Sequence, residues 1–233
     1  MEFKENFQGK KRRKNMSFIV AMDGPAGAGK GTITKQVAEK LGLINIDTGA
    51  MFRLVTLNVI QEGIEIHEED RIKEILDKIH IDMKENGEVF LNGEEVSKQI
   101  REDEVNCLVS PISVIPIVRE KLLELQRKIA QGKNVIMEGR DIGTVVFPNA
   151  DVKIYLDASA EERARRRLKQ NQEKGISGSY VKVLESIMDR DERDKNREIA
   201  PLKQAEDAIY IDSTNMTIEE VVDKIVKIIK SVQ

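Results

Sequence analysis

The stretch that decides the fold is DGPAGAGKGT, from Asp23 to Thr32. It follows a short apolar run, SFIVAMD, and it opens a segment with helical periodicity. A glycine-rich turn between a buried strand and a helix lets backbone N–H groups converge on a phosphate, and the helix N-terminus adds partial positive charge. We predict that Lys30 lies against the β- and γ-phosphates of a nucleotide. The residues predicted to hold these phosphates are Gly24, Pro25, Ala26, Gly27, Ala28, Gly29, Lys30, Gly31 and Thr32.

One residue of the loop departs from the usual pattern. Gly31 follows the lysine, where Ser or Thr normally supplies a hydroxyl to Mg²⁺. The hydroxyl comes one position later, at Thr32. Two alternatives stay open: Thr32 contacts a phosphate, or the metal keeps most of its water, as Mg²⁺ tends to do.

The composition is typical of a globular protein with a local site for anions. The chain has 233 residues, 40% of them hydrophobic, and a formal net charge of -3. Any affinity for phosphate must therefore be local. A single cysteine, Cys107, excludes an internal disulfide and favours a reducing, cytoplasmic location. No apolar window reaches the length of a membrane span, so we expect no membrane association.

The first fifteen residues differ from the rest. They are polar, and positions 10–14 are all cationic. We expect residues 1–15 to be a disordered basic leader or a start-site artefact, with Met16 as the natural first residue. The alternative is a patch that binds nucleic acid; we expect none.

Five short apolar runs predict the core, because runs without alternation are typical of strands buried on both faces of a parallel sheet. Helical patterns separate them, which favours an α/β fold with helices on both sides of a five-stranded parallel sheet. Gly42 is a predicted helix C-cap, and capping boxes are predicted at Ser159–Glu162 and Thr217–Glu220. The runs are 17–23, 43–47, 134–138, 152–157 and 208–212.

Nearly ninety residues separate the second and third runs, too many for a crossover. Asn86-Gly87 and Asn92-Gly93 lie within alternating apolar and polar residues and predict two hairpin turns. We therefore expect a small three-stranded antiparallel sheet over 78–96. The predicted division is a core of 16–50 and 117–233 with an insertion of 51–116.

Several arginines lie where a second phosphate could bind. Arg53 and Arg140 follow the second and third runs, at the strand ends where open α/β sheets bind ligands. Arg190, Arg193 and Arg197 share one face if their segment is helical, although an ordinary salt-bridged surface helix is an equal alternative. Such forked cations suit a kinase with an anionic acceptor, since phosphoryl transfer needs charge neutralisation. Residues 168–182 are a predicted mobile lid.

Two other classes of nucleotide-binding protein share a phosphate loop of this kind. A GTPase would need an Asn-Lys-x-Asp motif, and the sequence contains no Asn-Lys pair. An ATPase without an acceptor would need a carboxylate at the end of a second strand, and Glu138 could supply it. The second class therefore stays open on these motifs alone.

Four segments taken together resemble the bacterial cytidylate kinase family of P-loop nucleoside monophosphate kinases. They are DGPAGAGKGT, IDTGAMFR, EGRDIGTVVFPNADVKIYLDASAEERARRR and DRDERDKNREIAPL. The GKGT variant is shared across these kinases. Ala26 and Thr48 stand where the family often has Ser.

The resemblance implies transfer of the γ-phosphoryl group of ATP to CMP or dCMP, with Mg²⁺, by a cytoplasmic monomer. It implies that 51–116 is a monophosphate-binding insertion and that Glu138 and Thr32 serve the metal, Glu138 through water. The implied catalytic residues are Lys30, Arg140, Arg190 and Arg193, with Arg166 on ATP. The implied acceptor residues are Thr48, Arg53 and Arg140 at the phosphate, Ser110, Arg119, Asp141 and Arg197 at cytosine, and Arg190 and Asp194 at the ribose or the transferring group.

Overall fold

The strands of the protein fall into two sheets. The computed structural model describes residues 17–84, 86–173, 175 and 177–233, so the predicted leader lies outside the described residues. The larger sheet is parallel, in the order β2-β6-β1-β7-β8, and the smaller is antiparallel, in the order β3-β4-β5. The strands are β1 (Ile19–Asp23), β2 (Ile44–Asp47), β3 (Ile81–Met83), β4 (Val89–Leu91), β5 (Glu94–Glu95), β6 (Val135–Gly139), β7 (Val152–Asp157) and β8 (Ile209–Asp212). Both predicted sheets are confirmed.

Helices connect the strands of the parallel sheet, as the spacing of the apolar runs predicts. A single π-helical turn, Ile142–Val146, follows β6 and was not predicted. The helices are α1 (Lys30–Leu41), α2 (Thr48–Gln61), α3 (Glu69–Lys78), α4 (Asp103–Ile112), α5 (Pro116–Ala130), α6 (Ala160–Glu173), α7 (Tyr180–Asn196) and α8 (Ile218–Val232). None of them is both long enough and apolar enough to span a membrane, within the part of the chain that is described.

The predicted helix caps are confirmed at two of three places. Gly42 ends α1 in the left-handed region, at φ 64°, and the Thr217–Glu220 capping box at α8 has both of its hydrogen bonds. At α6 only half of the predicted box forms: the Glu162 N–H donates to the Ser159 hydroxyl at 3.2 Å. The Glu162 carboxylate binds arginines one turn along the same helix, and the Ser159 N–H donates instead to Thr214 Oγ1 at 2.9 Å.

Alternate residues of the parallel strands face opposite layers of helices. On β1, Val20 and Met22 pack in one hydrophobic cluster with residues of α1 and α8. Ala21 faces the other cluster, which continues through α2 and α5 into the insertion, as far as Leu76 and Val89. The antiparallel sheet therefore shares a continuous core with one face of the parallel sheet.

Three strands of the parallel sheet end side by side. In the register of the ladder Asp23 is opposite Gly139, and Asp47 is opposite Glu138. Parallel strands present all their carboxyl ends at one edge, so the segments that follow β1, β2 and β6 must meet there. These segments are the phosphate loop, the start of α2 and the turn that carries Arg140.

Candidate active site

The phosphate loop, residues 24–32, lies against the backbone of β7. A Cβ on Gly24 would lie 1.9 Å from the carbonyl oxygen of Leu156, and its φ is 150°, so only glycine fits this position. Lys30 begins α1 and folds back over the loop, where its Nζ donates to the carbonyls of Gly24 at 2.7 Å and Pro25 at 2.8 Å. Burial, and then the nearby Arg140, lower the pKa of Lys30. The lysine is thus held where an anion would stabilise its charge.

Glu138 explains the unusual residue at position 31. Its side chain is 7% exposed, and a Cβ on Gly31 would lie 3.0 Å from its Oε1. A contact that short is tighter than most real Cβ contacts, so serine or threonine at this position would crowd the carboxylate. Burial and the charge of Asp47 raise the pKa of Glu138 to about 7. Gly31 is therefore the residue that lets a carboxylate approach the start of α1.

An open cleft of about 960 Å³ runs from the phosphate loop to the ends of β2 and β6. Nine lysine and arginine side chains line its described part, against four carboxylates. The protein as a whole carries a net charge of -3, so this cleft concentrates positive charge. The nine cations are Lys30, Arg53, Arg101, Arg140, Arg166, Arg167, Lys169, Lys182 and Arg190.

Arg140 and Arg190 meet across the cleft around one carboxylate. The Arg140 Nε donates to Asp194 Oδ2 at 2.9 Å, and the Arg190 Nε lies 4.0 Å from the same oxygen. Among the described residues, nothing accepts a hydrogen bond from the buried Arg190 Nε. Burial, and then Arg140, lower the pKa of Arg190 to about 10, so it stays protonated at neutral pH. An anion in the cleft could accept the free N–H.

Arg193 does not lie with these two, contrary to the predicted shared face. It is exposed, its Nε donates to the Asp189 carbonyl one turn back at 3.2 Å, and it does not line the described cleft. Helix α7 ends at Asn196, and Arg197 follows it in an extended conformation. The run thus combines two predicted alternatives: Arg190 and Arg197 turn inward, and Arg193 belongs to a solvated face.

A second polar cluster lies beyond the cleft, around Asp141. Arg119 and Asp141 form a buried ion pair, and Arg197 Nη2 is 3.7 Å from the same carboxylate. That Nη2 is buried without a hydrogen-bond acceptor in the described structure. Arg119 also donates to the Ser113 carbonyl at 3.0 Å. Ser110, predicted at the same end, lies one helical turn before Ser113. Its backbone carbonyl accepts a hydrogen bond from the Ser113 hydroxyl at 2.9 Å.

The two predicted contacts at the start of α2 have different surroundings. Thr48 is 4% exposed, and its hydroxyl donates to the Glu138 carbonyl at 2.7 Å. The hydroxyl thus ties the start of α2 to the end of β6, and a contact of Thr48 with an acceptor phosphate stays a prediction. Arg53 lines the cleft, held by Asn106 Oδ1 at 2.5 Å and the Ile100 carbonyl at 3.2 Å.

Arg163 is a residue that the sequence analysis missed. It is buried, forms an ion pair with Asp191 of α7, and donates to the Ala26 carbonyl of the phosphate loop at 2.9 Å. Its neighbour Arg166 lines the cleft and donates to the Ser213 carbonyl at 2.7 Å. Residues 163–167 contain four arginines and one alanine, without a periodic apolar pattern, so the sequence gave no signal for which arginine turns inward.

Arg101 was also missed. It lies in the insertion just before α4 and lines the cleft, and its Nη2 is 3.2 Å from Asp47 Oδ2. Asp47 in turn accepts from the Ala50 N–H at 3.0 Å and caps α2. The insertion therefore contributes a cation to the same cleft as the core.

Comparison with known proteins agrees with this arrangement. The model of the cytidylate kinase family matches residues 20–231. The cytidylate kinase of Caldicellulosiruptor saccharolyticus is 50% identical over 212 residues, 90% of this chain and 94% of that protein. The cytidylate kinase of Caldanaerobacter subterraneus subsp. tengcongensis is 50% identical over 217 residues, 93% and 96% of the two chains.

A likeness in structure alone extends further. The crystal structure of an uncharacterized protein from Eubacterium ventriosum superposes with a TM-score of 0.50, at 13% identity, over 92% of this chain and 99% of that one. Likeness at that identity bears on the fold and on nothing finer. The family match over nearly the whole chain is far more specific, and by it this protein belongs to the cytidylate kinase family.

Proposed function

We propose that this protein transfers the γ-phosphoryl group of ATP to CMP or dCMP, giving ADP and CDP or dCDP. The observation that carries the proposal is the single cleft in which the phosphate loop faces Arg140 and Arg190. A phosphate loop alone would accommodate one nucleotide. The second set of cations, one with a buried N–H that lacks an acceptor, supports a second phosphate opposite the first.

In the proposed reaction an oxygen of the CMP phosphate forms a bond to the γ-phosphorus, and the bond to the bridging β–γ oxygen breaks. The electron pair stays on that oxygen, which leaves with ADP. Such a transition state spreads negative charge over the equatorial oxygens, and fixed cations stabilise it. Lys30 would exchange the carbonyls of Gly24 and Pro25 for donor phosphate oxygens, and Arg140 and Arg190 would bind the acceptor phosphate and the transferring group.

The residues at the loop fit a magnesium ion held mainly through water. Glu138 offers a buried carboxylate beside Gly31, and Thr32 offers an exposed hydroxyl that lines the cleft. These are hard oxygen donors, which Mg²⁺ prefers. When bound, the ion would neutralise charge on the β- and γ-phosphates. Burial, and then the charge of Asp47, raise the pKa of Glu138, and a bound cation would relieve the repulsion between the two carboxylates.

The Asp141 cluster is the proposed site for the base. Asp141 can accept from the N4 amine of cytosine, while Arg119 and Arg197 can donate to its acceptor edge. Uracil would present a carbonyl to Asp141 and leave the carboxylate unmatched, which costs affinity. Ser110 stays in this proposal as a further polar group at the same end.

The domain roles follow the same division. We place the acceptor side on the insertion, 51–116, because Arg53 and Arg101 both belong to it and line the cleft. Residues 168–182 would close over the donor phosphates, and closure would exclude the water that could otherwise accept the phosphoryl group. We further propose a monomer that acts in the cytoplasm.

Release of ADP in the presence of each nucleoside monophosphate tests the proposal. The acceptors to compare are CMP, dCMP, UMP, AMP, GMP and dTMP. We expect turnover with CMP and dCMP to exceed turnover with the others. Activity confined to AMP would overturn the choice of acceptor, and turnover indifferent to any monophosphate would indicate an ATPase.

A further inference from the structure

Asp23 links the strand before the phosphate loop to the turn that follows β6. It is the last residue of β1, directly before the phosphate loop, and it is 4% exposed. In the sheet it is opposite Gly139 of β6, after which the chain turns through Arg140 and Asp141. Its side chain therefore points from the strand that carries the donor loop toward the turn that carries the acceptor residues.

Both carboxylate oxygens of Asp23 bind that turn. Oδ1 accepts from the N–H of Ile142, and Oδ2 accepts from the N–H of Gly143, each at 2.7 Å. Charge-assisted hydrogen bonds of this length are about twice as strong as neutral ones. The two N–H groups belong to residues that directly follow Arg140 and Asp141, so the carboxylate fixes the backbone to which these side chains are attached.

Gly143 is shaped for this contact. A Cβ at position 143 would lie 3.3 Å from Asp23 Oδ2 and 3.2 Å from Cδ of Lys153. A larger residue would press on the carboxylate from one side and on a buried lysine stem from the other. The turn approaches Asp23 closely because residue 143 has no side chain.

We propose that Asp23 is a positioning residue for phosphoryl transfer, which clamps the turn of Arg140 and Asp141 to the strand that leads into the phosphate loop. This inference rests on the proposed function and deepens it. The loop is also held by Lys30, Arg163 and the backbone of β7, whereas the turn depends on Asp23 for two of its hydrogen bonds. Loss of the clamp should therefore impair the acceptor side and leave ATP binding intact.

The charged groups around Asp23 are consistent with a clamp that is ionised at neutral pH. Burial is the main cause that raises the pKa of Asp23, the two backbone N–H groups and Lys30 oppose it, Asp141 adds to it, and the net value is about 6. Two other cations beside the turn have partners of their own. Lys153 binds Asp207 and the Pro148 carbonyl, and Arg127 donates to the carbonyls of Val145 and Val146.

The test compares Asp23→Asn with the full-length wild-type protein. An amide has one acceptor oxygen where the carboxylate has two, so one turn N–H loses its partner. We expect the affinity for ATP, measured by calorimetry, to stay within about 3-fold, while kcat/KM for CMP falls by about 10-fold or more. Amide hydrogen exchange should accelerate in the peptide that contains residues 139–147.

Two further variants separate positioning from general loss of structure. Asp151→Asn is the matched control, because Asp151 Oδ2 accepts the Ile19 N–H at 2.8 Å at the opposite end of β1; its kinetics should equal those of the wild type. Gly143→Ala disturbs the clamp from the side of the turn and leaves Asp23 unchanged. It should lower kcat/KM for CMP as Asp23→Asn does, and it provides the test if Asp23→Asn folds poorly.

The possible outcomes are distinct. Wild-type kinetics and exchange in Asp23→Asn, or an equal loss of ATP affinity and acceptor turnover, would overturn the inference. A wild-type protein without CMP turnover would overturn the proposed function, and the exchange rate of residues 139–147 in Asp23→Asn would still decide whether the clamp exists.

Discussion

Gly31 leaves little room for a side chain between the start of α1 and Glu138. A Cβ at position 31 would lie 3.0 Å from Glu138 Oε1, and Thr34 Oγ1 donates to that same oxygen of the buried carboxylate at 3.5 Å. The glycine after the loop lysine is therefore the partner of a carboxylate at the end of β6. The glycine at position 31 and the carboxylate at the end of β6 therefore belong to one structural feature.

Restoring the usual loop residue should therefore damage the site. In Gly31→Ser the added atoms press on Glu138, which must shift by a few tenths of an ångström. A displacement of about 1 Å at reacting groups costs on the order of 100-fold in rate, so we expect this smaller shift to lower kcat with ATP and CMP by about 10-fold. Thermal stability should change less. Steady-state kinetics and thermal denaturation of the same preparation measure both.

A compensating change provides the control. Glu138→Asp shortens the carboxylate by one methylene and restores the space, so Gly31→Ser combined with Glu138→Asp should be more active than Gly31→Ser alone. Effects that simply multiply in the double variant would show that the two side chains do not interact, because contacting residues are the ones expected to couple.

Arg190 and Arg193 are one turn apart on α7, and replacing each by alanine should have very different effects on kcat. Removing a cation that stabilises the transferring group typically costs about 100- to 1,000-fold in kcat. We expect a loss of that size for Arg190→Ala, whose Nε is buried in the cleft without an acceptor. Arg193→Ala should retain kcat within about 2-fold, because an exposed charge contributes little. Equal losses in the two variants would contradict the placement of Arg193 outside the site.

The buried carboxylate of Asp23 should make stability depend on pH. Its pKa is raised in the folded protein from 3.8 to about 6, so its stabilising contribution is complete below pH 3.8 and is lost as the pH rises through about 6. A shift of that size corresponds to as much as about 3 kcal/mol. Relative to Asp23→Asn, the wild-type protein should lose unfolding free energy between pH 4 and pH 7. Denaturant titrations at both values check this, and a constant difference would show that Asp23 titrates normally.

Much of the fold could be predicted because local signals were strong. The five apolar runs became the five parallel strands, and the Asn-Gly pairs became the turns of the small sheet, where Asn92 and Gly93 both have positive φ. The half-formed cap at Ser159 shows the limit. Two arginines on the next turn of α6 compete for the Glu162 carboxylate, and propensity cannot weigh them against a backbone N–H.

The site was less predictable, because its chemistry depends on contacts between distant segments. Thr48 donates to the Glu138 carbonyl, and Arg163 donates to the Ala26 carbonyl of the loop. Both contacts depend on the packing of segments that are 90 or more residues apart in the sequence. The arginine spacing in α7 predicted a shared face, but the helix ends before Arg197 and the actual direction of each side chain depends on Asp141 and Asp194. Sequence periodicity carries no information on those long-range pairs.

The most direct test of the account is to identify where the γ-phosphoryl group goes. Phosphorus NMR of the wild-type protein with ATP, Mg²⁺ and CMP follows every phosphate in one sample. We expect CDP and ADP to appear together in equal amounts, with little inorganic phosphate. Inorganic phosphate in place of CDP would mean that water is the acceptor, and it would contradict the claim that the cleft binds two nucleotides for transfer between them.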